Sequence, residues 1–221
     1  LMHLEVFPHW QAAPEMPDLD PVRVDVWRVG LLSSESGGVS PDPGTGSSRH
    51  PATVQRDRAR RAMRDILGRY LGIPSHRLRL GIRPGGKPHV DQAGVQIEFN
   101  LSHSRDIALL AVTAVLSVGI DVEVQRDVKD PLRLARRVMS GDDLARLESS
   151  PVANRGVIFL DLWTRMEARQ KAVGRGVFDR AADPAQLSSF GFRPAPGLHA
   201  ALSVSPATPG LETRFLDYDP V

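Results

Sequence analysis

In GIDVE (Gly119–Glu123) two carboxylates, Asp121 and Glu123, stand one residue apart; in WTRMEARQK (Trp163–Lys171) a carboxylate and an ammonium, Glu167 and Lys171, stand four apart. On a strand alternate residues share a face, so Asp121 and Glu123 project together while Ile120, Val122 and Val124 point the other way. In a helix Trp163, Glu167 and Lys171 fall along one stripe. Paired carboxylates on a rigid strand suit a hard cation such as Mg²⁺, which takes one or two carboxylates and completes its octahedron with water and phosphate oxygens. The helix pair suits a third metal ligand or general base, Glu167, and a charge, Lys171, set where a phosphate leaving group gathers negative charge. Each pair taken alone has an ordinary explanation: a solvated strand face for D-x-E, and a surface ion pair worth about 0.3–0.5 kcal/mol for Glu–Lys.

Two further stretches carry polar groups that could meet an anion. NLSHS (Asn100–Ser104) sets His103 between Ser102 and Ser104, with hydroxyl and imidazole N–H groups as donors. A Ser/His hydrolase is disfavoured there, because no G-x-S-x-G elbow is present and adjacent strand residues face opposite ways. GGKP (Gly85–Pro88) offers turn N–H groups and Lys87 for a phosphate or purine edge, but is too short for a P-loop.

These residues need elements to hold them. Pro21–Leu32 alternates as a half-buried strand, with Val22, Val24 and Val26 set against Arg23, Asp25 and Trp27. Ser33–Pro51 is rich in Ser, Gly and Pro without apolar period and is expected to be a mobile loop. A helix is predicted over Thr53–Leu71, its apolar stripe Ala59, Met63, Ile66, Leu67 and Tyr70 flanked by Arg56, Arg58, Arg60, Arg61 and Arg64, and ended by Gly72 and Pro74. Leu78–Val90 reads as strand, turn and strand, and Ile107–Val124 as two buried antiparallel strands broken near Ser117. Helices are predicted at Pro131–Val138, Asp142–Leu147 and Arg155–Val173, followed by strands punctuated by Pro. Both halves run strand, helices, strands. This predicts an α+β chain of two similar α/β lobes, residues 1–115 and 116–221, meeting near Ala114–Ser117 with the active site in the cleft between them.

The chain has 221 residues, 41% of them hydrophobic, enough for a sizeable core. No run approaches the roughly 18 apolar residues of a membrane span, and the N-terminus lacks a signal-peptide pattern, so the cytoplasm is the expected compartment. No cysteine is present, which excludes disulfides, thiolate metal sites and a Cys nucleophile. The formal charge is only +2, although the pI is about 9.4. Lysine occurs three times, at Lys87, Lys129 and Lys171, so arginine supplies the other 25 positive charges. Two of those rare lysines fall inside the stretches above.

Taken in order, GGKPHV, FNLSHS, VGIDVE and WTRMEARQKAVGRG resemble the signature series of the 4′-phosphopantetheinyl transferases of the larger, surfactin-synthetase-activating type, over roughly Arg56–Val177. The resemblance implies a pseudo-twofold, two-lobe fold and transfer of the phosphopantetheine arm of coenzyme A to a serine of an acyl or peptidyl carrier protein, releasing adenosine 3′,5′-bisphosphate. It implies that Asp121, Glu123 and Glu167 hold Mg²⁺, with Mn²⁺ as an alternative. Glu167 would take the serine proton, directly or through a metal-bound water, and Lys171 would stabilise the departing phosphate. Ser102 and His103 would bind coenzyme A phosphates, and Lys87 with Gly86 and Pro88 would lie against the nucleotide.

The chain departs from that pattern in three places. Met166 stands where many relatives have a lysine, so that either Arg165 or Arg169 substitutes or the affinity for coenzyme A falls. The basic segment that grips the 3′-phosphate in relatives is replaced by the Ser33–Pro51 loop, so Arg49, Arg56 and Arg58 are the candidates. The sequence ends at RFLDYDPV, where relatives add another apolar strand. An active transferase of broad carrier scope, working as a monomer without membrane or nucleic-acid partners, is the leading reading. A protein that binds coenzyme A or carriers but transfers poorly is the alternative. A nucleic-acid module built on the arginine-rich helix has few aromatics with which to stack bases. Carrier docking is expected on exposed apolar residues around Val138 and Met139.

Overall fold

The computed structural model describes residues 6–32, 50–139, 141–176, 179 and 182–220. The segment expected to be a mobile loop falls almost wholly outside them, Arg49 included.

The chain opens with β1 (Gln11–Ala12) and β2 (Arg23–Gly30). The alternation foreseen for β2 is present, but both faces are buried rather than one: Trp27, Val29 and Leu31 enter one core, and Val24 and Val26 another. Asp25 is buried because its carboxylate is fully engaged, accepting hydrogen bonds from Arg23, Arg214 and the Tyr70 hydroxyl. Helix α1 (Pro51–Leu71) starts with Pro in its first turn, where the missing N–H costs nothing, and stops at Gly72 in the left-handed region with φ 62°.

Next come the hairpin β3 (Leu80–Ile82) and β4 (Pro88–Val90), then β5 (Glu98–Ser104), β6 (Ile107–Thr113) and β7 (Ser117–Val124). Three helices follow: α2 (Pro131–Val138), α3 (Gly141–Glu148) and α4 (Arg155–Ala172). The chain finishes with β8 (Ser188–Phe192), β9 (Leu198–Ser205) and β10 (Glu212–Asp217).

Five strands form one sheet in the order β1-β10-β2-β6-β5, and three form another in the order β7-β9-β8. The apolar run Ile107–Val124 does make two strands, β6 and β7, but they enter different sheets. Helix α1 covers one face of the larger sheet, packing Met63, Ile66 and Leu67 with Trp27, Phe99 and Leu110. The opposite face shares a core with the smaller sheet, where Val24, Val26 and Leu109 meet Val118, Ile120 and Leu202. Helix α4 lies on the far side of the smaller sheet, and α2 and α3 pack on it through Ala135, Leu147 and Leu160. The result is a mixed α/β fold in layers. The sheets change at residues 114–116, but β10 returns to the larger sheet and pairs in parallel with β2.

Candidate functional site

The site begins with a close approach. A Cβ on Gly119 would collide with the Ala168 carbonyl oxygen and the Ala172 amide nitrogen, both backbone atoms of α4. A glycine in β7 facing two alanines in α4 therefore lets the helix lie directly on the strand. That contact brings the GIDVE and WTRMEARQK stretches together.

Asp121 is 3% exposed. Its Oδ1 accepts from Lys171 Nζ at 2.6 Å and from Ser102 Oγ at 2.9 Å, while its Oδ2 is buried with no hydrogen-bond partner among the described residues. Lys171 Nζ also lies 3.3 Å from Glu167 Oε2 and donates to Ser102 Oγ at 3.3 Å. Burial pushes the Asp121 carboxyl up from its ordinary value; the Lys171 ammonium opposes this and the Glu167 charge adds to it. Burial lowers Lys171, but Asp121 and Glu167 together hold it above its ordinary value. The Lys171 Nζ thus stands between the carboxyl groups of Asp121 and Glu167. Glu123 stands further along the same face, its Oε2 accepting from Arg126 at 2.8 Å and Ser104 Oγ at 3.3 Å. Among the described residues no three His, Cys, Asp or Glu side chains converge closely enough to hold a metal ion as they stand.

Strand β5 delivers its side chains at period two. Asn100 Oδ1 accepts from the Ile120 amide at 2.9 Å and Ser104 Oγ from the Val124 amide at 3.2 Å, joining the edges of the two sheets through side chains. His103 points the other way and is exposed. Partial burial lowers its pKa, with Arg56, Lys171 and Arg60 adding repulsion, so the imidazole shares its neighbourhood with three cationic side chains. Arg56 is exposed, whereas Arg58 donates to the Leu31 carbonyl at 2.6 Å.

Lys87 is 7% exposed and turned into the protein. It donates to Ser117 Oγ at 2.9 Å and lies 3.6 Å from Glu98, and burial above all lowers its pKa. Ser117 in turn donates to the Ala172 carbonyl at 2.5 Å, and a Cβ on Gly85 would collide with the Gly174 carbonyl. GGKP therefore clamps the end of α4, and its lysine is not extended toward solvent; Gly86 and Pro88 form the rim of that turn.

Two expectations are corrected. Neither Arg165 nor Arg169 stands in for the lysine absent at Met166. Arg165 lies over β8, with Nη2 3.3 Å from where a Cβ on Gly191 would sit, and Arg169 pairs with Asp143 of α3 at 3.7 Å. Met166 itself is buried at 8% exposure. Val138 and Met139 are half-buried, Met139 packing on the α2–α4 core; the exposed apolar residues of that region are Leu134, at 43%, and Val152, at 77%. Val152 borders a cavity of about 620 Å³ just beyond the end of β7, which Arg126, Val128, Leu132 and Arg155 also line. Asp121 and Glu167 do not line it.

Sequence reasoning missed a buried cluster under α4. His199 on β9 is 1% exposed and sits opposite Glu123 in the strand register. Its Nδ1 lies 2.7 Å from Asp161 Oδ1, and Arg193 clamps the same carboxylate at 2.6 and 3.0 Å. Burial raises the Asp161 pKa, but the hydrogen bonds from His199 and Arg193 outweigh it and bring it down to about 2. No short motif marks these three residues, Asp161 lying 32 and 38 residues before Arg193 and His199. Ser102 and Ser104, by contrast, stood out in the sequence on either side of His103.

A family model described as the 4′-phosphopantetheinyl transferase superfamily matches residues 117–207, from β7 to just past β9. The chain is similar to the 4′-phosphopantetheinyl transferase HetI of Nostoc sp., at 31% identity over 214 residues, covering 92% of this chain and 87% of the relative. It is also similar to the 4′-phosphopantetheinyl transferases psf-1 of Bacillus pumilus, at 32% identity over 58% of this chain and 54% of the relative, and gsp of Aneurinibacillus migulanus, at 29% over 52% and 46%. The β7–α4 contact that assembles Asp121, Glu167 and Lys171 lies inside the matched region, and one relative is matched along nearly its whole length: the chain belongs to the 4′-phosphopantetheinyl transferases.

Proposed function

We propose that this chain is a transferase of the surfactin-synthetase-activating type, moving the phosphopantetheine arm of coenzyme A onto a serine of an acyl or peptidyl carrier protein and releasing adenosine 3′,5′-bisphosphate. The observation that carries the reading is the meeting of Asp121, Glu167, Lys171 and Ser102 from three elements at one buried point. In this reading the site lies between two lobes related by a pseudo-twofold, divided at residues 115 and 116, with β10 completing the first lobe's sheet.

The donor set fits a hard cation: the oxygens are carboxylates and hydroxyls, and the buried Asp121 Oδ2 has no partner among the described residues. Asp121, Glu123 and Glu167 would hold Mg²⁺, which when bound supplies neutralisation of the diphosphate charge. Glu167 accepts the carrier serine proton as the serine oxygen bonds to the β-phosphorus. The phosphorus–oxygen bond to the nucleotide breaks, its electron pair leaves on adenosine 3′,5′-bisphosphate, and the Lys171 ammonium meets that charge. His103, with Arg56 and Arg60 beside it, offers the cationic surface for coenzyme A phosphates, and the rim at Gly86 and Pro88 borders the nucleotide. Lys87 acts through the hairpin it anchors.

Intact mass of an apo carrier protein incubated with this chain, coenzyme A and Mg²⁺ tests the reading, with EDTA as control. The expected result is a metal-dependent gain of one phosphopantetheine, lost in Asp121→Ala. Transfer retained by Asp121→Ala refutes the site assignment. Coenzyme A binding without transfer to any of several carriers favours a binding role instead, in keeping with the buried Met166.

A further inference from the structure

An ammonium has three N–H donors, and Lys171 spends all of its own inside the site: on Asp121 Oδ1 at 2.6 Å, on Glu167 Oε2 at 3.3 Å and on Ser102 Oγ at 3.3 Å. None is left for a phosphate. The same two carboxylates are the ones the proposed function gives to a divalent cation. Two cations drawing on one pair of carboxylates, the Asp121 one buried, repel each other strongly at that range. The lysine and a divalent ion therefore cannot both occupy this arrangement.

We infer that Lys171 is a resident counter-ion, which a divalent cation must displace from between Asp121 and Glu167, and that this displacement is what frees the ammonium for the nucleotide phosphates. The inference rests on the proposed cation site. The side chain has the means to move, being a flexible four-carbon stem in the last turn of α4, just before Val173 and Gly174. The other cationic groups within electrostatic reach of His103, as Lys171 is, are Arg56 and Arg60. Leaving the carboxylates for that neighbourhood is unfavourable until an anion arrives. Divalent cation and anionic nucleotide thus each make the other's binding easier, by the same factor in both directions.

The rarity of lysine makes the test direct. The chain holds only Lys87, Lys129 and Lys171; Lys87 is buried and Lys129 exposed. Acetylation of the intact protein by an N-hydroxysuccinimide ester, read per lysine by peptide mass spectrometry without nucleotide, follows Lys171 against Lys129 as internal standard. Saturating Mg²⁺ is expected to raise Lys171 labelling several-fold and leave Lys129 unchanged. Calorimetric titration of Mg²⁺ gives the second readout. Lys171→Met, which removes the competing charge, should bind Mg²⁺ at least about tenfold more tightly than the native chain, whereas Lys171→Arg should not. If Mg²⁺ binds the native chain but leaves Lys171 labelling unchanged, or if Lys171→Met binds it no more tightly, the inference falls while the cation site stands. If Mg²⁺ does not bind, or binds Asp121→Asn equally well, both fall.

Discussion

Replacing Gly119 by alanine tests the contact on which the site depends. The added Cβ would collide with the Ala168 carbonyl oxygen and the Ala172 amide nitrogen, and would lie 2.9 Å from the Lys171 carbonyl carbon. These are backbone atoms of one helix, so no rotamer change relieves the collision, and α4 must retreat from β7 by about 1 Å to restore ordinary separations. Overpacking of this kind costs about 1–3 kcal/mol, and the absence of any side chain able to yield places Gly119→Ala at the upper end. For a chain of this length, about 3 kcal/mol lowers Tm by roughly 6–12 °C. The same retreat carries Glu167 and Lys171 away from Asp121, and a 1 Å misplacement of reacting groups costs about 10²-fold in rate. Gly30→Ala is the control: a Cβ there meets nothing within 4 Å, so its stability should stay within about 0.5 kcal/mol of native. Scanning calorimetry and single-turnover carrier labelling on both variants decide the matter. A Gly119→Ala protein with native Tm and native rate would show that α4 is not seated on β7 as described.

Asp161→Asn should show a defined pH signature. The folded pKa of Asp161 is lowered to about 2 from 3.8, so its contribution is present in full above the unfolded value and is lost as pH falls from about 4 toward 2. With the side chain only 24% exposed, the shift corresponds to about 2 kcal/mol. The variant should melt about 5 °C lower at pH 7, a gap that narrows below about pH 4 and closes toward about pH 2 in a calorimetric pH series and that would be absent if the cluster with His199 and Arg193 were not formed. Asn100→Leu leaves the Ile120 amide without its acceptor, at a cost of about 1–3 kcal/mol. Hydrogen exchange should show Ile120 losing protection ahead of the other β7 amides, and unchanged protection at Ile120 would count against a side-chain join between the sheets.

Local order was legible in the sequence wherever a single period governed the residues. The 3.6 spacing of Ala59, Met63, Ile66 and Leu67 gave α1, and the alternation in GIDVE put Ile120 and Val122 in the core and Asp121 opposite them. What stayed hidden depended on contacts made far along the chain. The strand signal in Pro21–Leu32 could not reveal that Asp25 is buried, because its partner Arg214 arrives from β10. Nor could the lysine of GGKP be seen turning inward to Ser117, since an exposed turn and a buried clamp share one composition. Met166 and the nearby arginines were judged by the family resemblance; the directions of Arg165 and Arg169 depend on β8 and α3, whose placement no local pattern encodes.

The position of the site follows from how the two sheets are joined. Asn100 reaches Ile120 and Ser104 reaches Val124, both across 20 residues, so the edge strands β5 and β7 run in the same direction at constant offset. Side chains do the work that backbone pairing does elsewhere, and only alternate residues of β5 face the join. Ser102, the middle of the three, turns its hydroxyl to the Asp121 carboxylate instead of to a β7 amide. A carboxylate placed there is buried, because sheets lie on both sides, and it needs a cation, because one neutral hydroxyl cannot compensate a buried charge. Helix α4, let in by Gly119, brings that cation as Lys171. The arrangement holds a strong negative position ready at the join, filled by a side chain that can leave. A surface carboxylate pair would hold no such readiness, since water would satisfy it at every moment.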